Sequence, residues 1–269
     1  MKNEIMKNIA YGSHERHLVD IMLPENASEE AGLVFCIHGG GWIMGDKSLY
    51  DNELRFWSGR GFAAASMNYR YVSDNISISD ELDDITAALG KVKSICAENG
   101  ITVSKALLTG VSAGAHLSLL YGYSRAAEAP VKPACIVSYC GPTDLSAYNF
   151  LHSELFEKYE QSVELFSDCC GKKFTENTFF DEDTQEKLRA VSPLYYTATD
   201  SVPAVIAHGM KDAIVPFTQA EALTKKLSEL GAKYDFVIYP NSDHGLNSDP
   251  DCASKTRELF IEYAEKYLR

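Results

Sequence analysis

Two rhythms of apolar residues alternate along this chain. Short unbroken apolar runs, Leu33-Val34-Phe35-Cys36-Ile37 and Phe62–Met67, read as strands covered on both faces. Between Asp80 and Asn99 the apolar residues fall instead at Leu82, Ile85, Leu89, Val92 and Cys96, the spacing of one helix face. Asn99-Gly100 supplies the stop. The same reading gives an opening hairpin from Glu4–Ala10 and His17–Met22 around Tyr11-Gly12-Ser13. It places strands at Ala106–Leu108, Cys135–Tyr139, Pro203–Ala207 and Tyr234–Tyr239, and helices at Ala113–Ser124, Phe217–Leu230 and Cys252–Leu268. This alternation predicts an α/β fold, a mostly parallel eight-stranded sheet with helices on both faces.

One stretch breaks the rhythm. Gly141 to Ser201 separates two predicted strands, far more than the roughly 2–6 residues of an ordinary connection. It holds helix-like pieces and many aromatics, Tyr148, Phe150, Phe156, Tyr159, Phe166, Phe174, Phe179 and Phe180. It reads as a cap or lid, about 142–201, inserted over the C-terminal edge of the sheet. With no repeats, low-complexity tracts or linkers, residues 1–269 are expected to form a single domain.

Composition narrows the classes of function. At 45% hydrophobic and 23% charged the chain is an ordinary globular sequence with enough apolar mass for a sizeable core. A formal charge of −13 argues against nucleic acid and against an anionic membrane surface as partners. Met1 to Gly12 is polar and lacks an apolar h-region, so the expected location is cytoplasmic. No stretch has the apolar length of a membrane-spanning helix. The seven cysteines include no Cys-x-x-Cys pair, which leaves zinc and thioredoxin-like readings without support, and nothing else in the sequence suggests a metal or organic cofactor. Cys36, Cys96, Cys135 and Cys140 read as buried small hydrophobes, and adjacent Cys169 and Cys170 as reduced thiols in a loop.

Candidate chemistry begins at the end of the first buried run, with His38-Gly39-Gly40-Gly41-Trp42. Three glycines there cost backbone entropy. What they supply is unobstructed N–H groups at a strand mouth, the requirement of an oxyanion hole. Further on, Gly110-Val111-Ser112-Ala113-Gly114 has the G-x-S-x-G pattern of a nucleophile elbow. That pattern alone is weak; the glycine motif is far rarer, and the two together are informative. Leu107-Leu108-Thr109 before the serine reads as a strand end, and Ala115–Leu120 after it opens a helix. Ser112 then sits at a helix N-terminus, where the dipole and the Ala113 N–H favour negative charge.

A serine hydroxyl needs a base. His14 and His17 lie in the hairpin, and His38 is expected to order the glycine loop. His116 points back into the structure, His152 lies in the cap, and His208 ends a strand in a structural role. His244 sits in the polar loop Pro240–Gly245 after the last strand, at the edge where Ser112 emerges, and is the favoured base. Asp212, in the loop one strand earlier, is the favoured acid to orient it, with Asp243 as competitor.

These residues carry a resemblance. The order Ser112…Asp212…His244, with His38–Trp42, Gly45-Asp46, Asn68-Tyr69-Arg70, Gly110–Leu117, Ser192-Pro193, Val215-Pro216 and His244-Gly245, resembles the α/β-hydrolase fold esterases. The likeness is to the hormone-sensitive-lipase-like group and its bacterial carboxylesterase and acetyl-xylan/feruloyl esterase relatives, and it runs from about His17 to Leu268. It implies Gly40, Gly41 and Ala113 as oxyanion donors. Val111 and Ala115 depart from the aspartate and second glycine common in that group, and the Ser-Ala-Gly-x-His-Leu form is closer to its short-acyl esterases. The N-terminal segment is too short for the helical cap of the long lipases.

The function expected is a serine carboxylesterase acting through an acyl-enzyme on short-chain esters, with acetyl or feruloyl groups on carbohydrate as substrates by analogy. Trp42 is expected to wall the acyl pocket, or else to lie in the core under the cap. An arylformamidase shares the same motifs. A prolyl-oligopeptidase-type peptidase would need a propeller domain for which this chain has no room. A hydrolase-fold protein that binds a ligand without turnover is the alternative of another class. The partner expected is a small-molecule ester, and monomer and homodimer both fit the sequence.

Overall fold

The computed structural model describes residues 4–24, 29–151 and 159–269. His152 and Phe156 lie outside them. Eight strands form one sheet: β1 (Met6–Ala10), β2 (Leu18–Met22), β3 (Leu33–Ile37), β4 (Ala63–Met67), β5 (Lys105–Val111), β6 (Lys132–Tyr139), β7 (Ala204–Gly209) and β8 (Tyr234–Tyr239). Their spatial order is β1-β2-β4-β3-β5-β6-β7-β8. β1 and β2 pair antiparallel, as does β2 with β4, and every pairing from β4 through β3 to β8 is parallel. The unbroken apolar runs lie where both faces are covered. In β3, Leu33, Phe35 and Ile37 enter one core while Val34 and Cys36 enter the other, and all five are buried.

The helices are α1 (Asp51–Ser58), α2 (Ile78–Glu98), α3 (Ala113–Ser124), α4 (Tyr148–Leu151), α5 (Tyr159–Cys170), α6 (Glu182–Ala190), α7 (Thr218–Leu230) and α8 (Pro250–Leu268). α2 buries Leu82, Ile85, Leu89, Val92 and Cys96, the face its periodicity defines, and opens on a Ser77/Asp80 capping box. α7 closes on Gly231 in the left-handed conformation that glycine adopts without strain. α1 has no counterpart in the sequence-based elements. It is short, and its apolar anchors Leu54 and Trp57 give too little pattern to announce a helix.

Between β6 and β7 the chain carries α4, α5 and α6. Its aromatics Phe150, Phe166, Phe174 and Phe179 are buried against one another and join the same core as Leu33, Phe35 and Ile37 of β3. Cys169 and Cys170 end α5 rather than lying in a loop, and all seven cysteines are free. No described helix is long and apolar enough to cross a membrane.

Candidate active site

The turn from β5 into α3 puts Ser112 at φ 55, ψ −121, a conformation rare for a residue with a side chain. Its neighbours hold it there. The Ser112 N–H donates to Tyr139 O at 2.8 Å, and the His116 N–H donates to Ser112 O at 3.0 Å. Gly110 and Gly114 are required because a Cβ on either would run into backbone, Gly114 on Gly110 and the Ile37 carbonyl on both.

His244 and Asp212 meet from the loops after β8 and β7. His244 Nδ1 donates to Asp212 Oδ2 at 2.7 Å. That bond fixes the tautomer and leaves Nε2 with its lone pair. Asp212 is buried, and its other oxygen accepts the Ile214 and Val215 N–H groups at 3.0 and 2.8 Å. Burial alone would raise its carboxyl, but the bonds from His208, His244 and the Val215 N–H outweigh it and hold the group well below the usual carboxylate range. The histidine loop is itself tied down. Asp249 accepts from the Asn241 N–H and the Ser242 hydroxyl at 2.9 and 2.6 Å, and the Lys211 N–H reaches Ser242 O at 3.0 Å. Asp243, the competing acid, accepts the Gly245 N–H instead.

The glycine loop is aimed by its carbonyls. All its peptides are trans, so each C=O and the N–H beyond it point in opposite directions. Gly39 O accepts from His38 Nδ1 at 2.8 Å on the buried side, which turns the Gly40 N–H the other way. Gly40 O accepts the Ile43 and Met44 N–H groups at 3.1 and 3.0 Å, which turns the Gly41 N–H away from that turn. Both glycines line the cleft that Ser112 and His244 also line. Gly40 (φ 117) and Gly41 (φ 59) are in the left-handed half of the map, and a Cβ on Gly40 would overlap Met44 O.

The N-terminal hairpin braces this loop, which the sequence did not reveal. Arg16 donates to His38 Nε2 (3.2 Å), Gly45 O (3.2 Å) and Tyr69 O (2.7 Å), and lies over the Tyr71 ring. Tyr69 OH reaches His38 O at 2.9 Å and Tyr71 OH reaches Gly45 O at 2.7 Å. Burial, with Arg16 adding to it, pushes His38 down to about 4, so the ring is neutral with Nδ1 donating and Nε2 accepting. These partners come from distant loops with no local pattern to mark them.

Three further histidines take structural places. His116 is buried, accepts the Trp42 indole N–H on Nδ1 at 3.2 Å and donates from Nε2 to Val191 O at 2.8 Å. His208 Nε2 donates to Val215 O at 2.8 Å and lies 3.4 Å from Asp212 Oδ2. His17 pairs with Asp84. Trp42 corrects an expectation. It is 1% exposed, its N–H is spent on His116, and it is not among the residues lining the cleft, so it supports α3 from below and does not wall an acyl pocket.

The cleft has a volume of about 890 Å³, and α5 contributes Gln161 and Leu165 to it. A smaller chamber of about 370 Å³, between α1 and α8, shares Tyr50, Val111 and His244 with it. Cys140, read from sequence as a buried strand residue, stands at the end of β6 with φ 50, and its Sγ lies within 4.8 Å of ligand atoms of Asp212 and His244. Burial, with Asp212 adding to it, pushes this thiol up, so it stays protonated beside the carboxylate. Its position at the tip of the strand between β5 and β7 was the available signal.

The BD-FAE family model matches residues 19–227. The chain belongs to the BD-FAE family. Among curated relatives, a probable isoprenylcysteine alpha-carbonyl methylesterase of Arabidopsis thaliana is 25% identical over 259 residues, covering 89% of this chain and 51% of that protein. Esterase LipQ of Mycobacterium tuberculosis is 26% identical, covering 96% of this chain and 60% of its own length. The chain thus spans between half and three fifths of these relatives. Among solved structures, a truncated carbohydrate esterase from gut microbiota superposes with a TM-score of 0.78 at 23% identity, over 98% of this chain and 97% of that one. The sheet order and this superposition give the BD-FAE protein an α/β-hydrolase fold.

Proposed function

We propose that the protein is a serine carboxylesterase. The observation that carries this reading is the 2.7 Å bond from His244 Nδ1 to buried Asp212, beside a cleft lined by Ser112, His244 and the glycine loop. In this reading His244 Nε2 takes the Ser112 proton as the oxygen attacks an ester carbonyl. The Gly40, Gly41 and Ala113 N–H groups hold the oxyanion. The tetrahedral species collapses to an acyl-serine as the imidazolium protonates the leaving alcohol. A water, deprotonated by His244, then attacks the acyl group, and the acid leaves as Ser112 regains its proton. Asp212 keeps the imidazole oriented and stabilises its charged form. The segment between β6 and β7 serves as a cap, closing one side of the cleft with α5.

Ester-hydrolysing relatives support the reaction class. Burial of Trp42 removes one of the two grounds for the short-acyl expectation and leaves the Ser-Ala-Gly-x-His-Leu form of the elbow as the other, so acetyl or feruloyl esters of carbohydrate stay an analogy. The test is p-nitrophenyl acetate turnover by wild type and Ser112→Ala. We expect turnover in the first and a rate near background in the second; unchanged turnover in a folded variant would overturn the assignment.

A further inference from the structure

The walls of the cleft have one character. Its aliphatic side chains are Ile43, Met44, Leu49, Val111, Leu165 and Ile214. Gln161 is the one side-chain amide, and among the described residues no Asp, Glu, Lys or Arg lines it. Four of the aliphatic groups stand in solvent in the free protein: Leu49 is 74% exposed, Met44 59%, Ile43 47% and Val111 40%. A contiguous exposed apolar surface around a reactive serine marks what is to be covered when substrate arrives. A site that discriminates sugar hydroxyls needs several placed polar partners; beside Ser112 and His244, the described walls offer only the Gln161 amide and the Tyr50 hydroxyl, and the latter already donates to Ile37 O.

We infer that this cleft is a subsite for an aliphatic chain of several methylenes, carried by the ester on its acyl or its alkoxy side. The occupant follows from continuity: the same cleft holds Ser112 and the glycine loop, so an ester seated there with a long acyl or alkoxy chain has Ile43, Met44 and Leu49 as walls to lie against. The inference rests on the ester-hydrolase reading and deepens it by naming the substrate class. Each methylene moved from water onto these walls favours the bound ester by up to about fourfold.

Two substrate series distinguish the arms. p-Nitrophenyl acetate, butyrate and hexanoate lengthen the acyl side; ethyl, butyl and hexyl acetate lengthen the alkoxy side. We expect kcat/KM to rise at least tenfold across one series. The gradient should shrink severalfold in the double variant Met44→Gln, Leu49→Gln, whose side chains are exposed and whose fold should be unaffected. Flat or falling series on both sides, or an unaltered gradient in the variant, overturn the inference. A turnover-independent arm compares octanoate and acetate binding to the Ser112→Ala protein by calorimetry, with at least tenfold tighter octanoate expected. Tighter octanoate with no ester hydrolysed by wild type would reject the hydrolase reading and leave the cleft assignment standing. Hydrolysis that favours acetate, with octanoate bound no tighter, would reject the cleft assignment alone.

Discussion

In the proposed mechanism the acting groups at the loops after β7 and β8 are side chains, Asp212 and His244, joined by one short bond. At Gly39–Gly41 they are backbone N–H groups, directed by where the Gly39 and Gly40 carbonyls are spent. The first region is held from within a few residues, by Ile214, Val215, Ser242 and Asp249. The second is held from far away, by Arg16, Tyr69 and Tyr71. A side-chain constellation advertises itself by residue type and order. A backbone constellation announces only its glycines and conceals what aims them.

Damage to the side-chain half should be the most severe. Asp212→Asn keeps the shape but presents the wrong group to Nδ1–H, and kcat should fall by on the order of 10⁴. Steady-state kinetics on p-nitrophenyl acetate will show it; a fall below tenfold would shift the acid role to another residue. In the backbone half, Arg16→Met frees the His38 ring and should lower kcat by roughly ten- to thirtyfold, from lost charge-assisted hydrogen bonds, while KM changes little. Arg16→Lys should restore part of the loss. A rise in KM at constant kcat, or no rescue, would show that Arg16 only supports the fold.

The smallest effect concerns stability. His38 and His116 are both pushed down to about 4 by burial, against an ordinary value of 6.5. Between those values the unfolded chain binds more protons than the folded one, so stability is lost as pH falls through this window. Lowering pH from 7 to 5 should cost on the order of 1–2 kcal/mol per histidine, read as a Tm lower by several degrees. His116→Gln should flatten that dependence, and an unchanged slope would show that His116 titrates as if exposed.

How much was legible follows the same divide. Leu33–Ile37 and the Leu82–Cys96 face announced a buried strand and a helix because packing on two faces or one leaves a period in the sequence. That Ser112, Asp212 and His244 would gather at one edge of the sheet was legible because their order and loop positions follow the strand order. Arg16 was not, since its role exists only once the hairpin folds onto the glycine loop. Trp42 misled for a related reason. Proximity to the glycines suggested the pocket, but φ 64 turns its side chain inward to His116. Cys140 was hidden because a cysteine in an apolar strand reads as core until the sheet puts it beside Asp212.

The most direct test of the account is titration with diethyl p-nitrophenyl phosphate, followed by peptide mass spectrometry. The account predicts a burst of one p-nitrophenol per chain, complete loss of esterase activity, and the diethylphosphoryl group on Ser112. Inactivation with the group on any other residue, or esterase activity that persists after Ser112 is fully labelled, would contradict it.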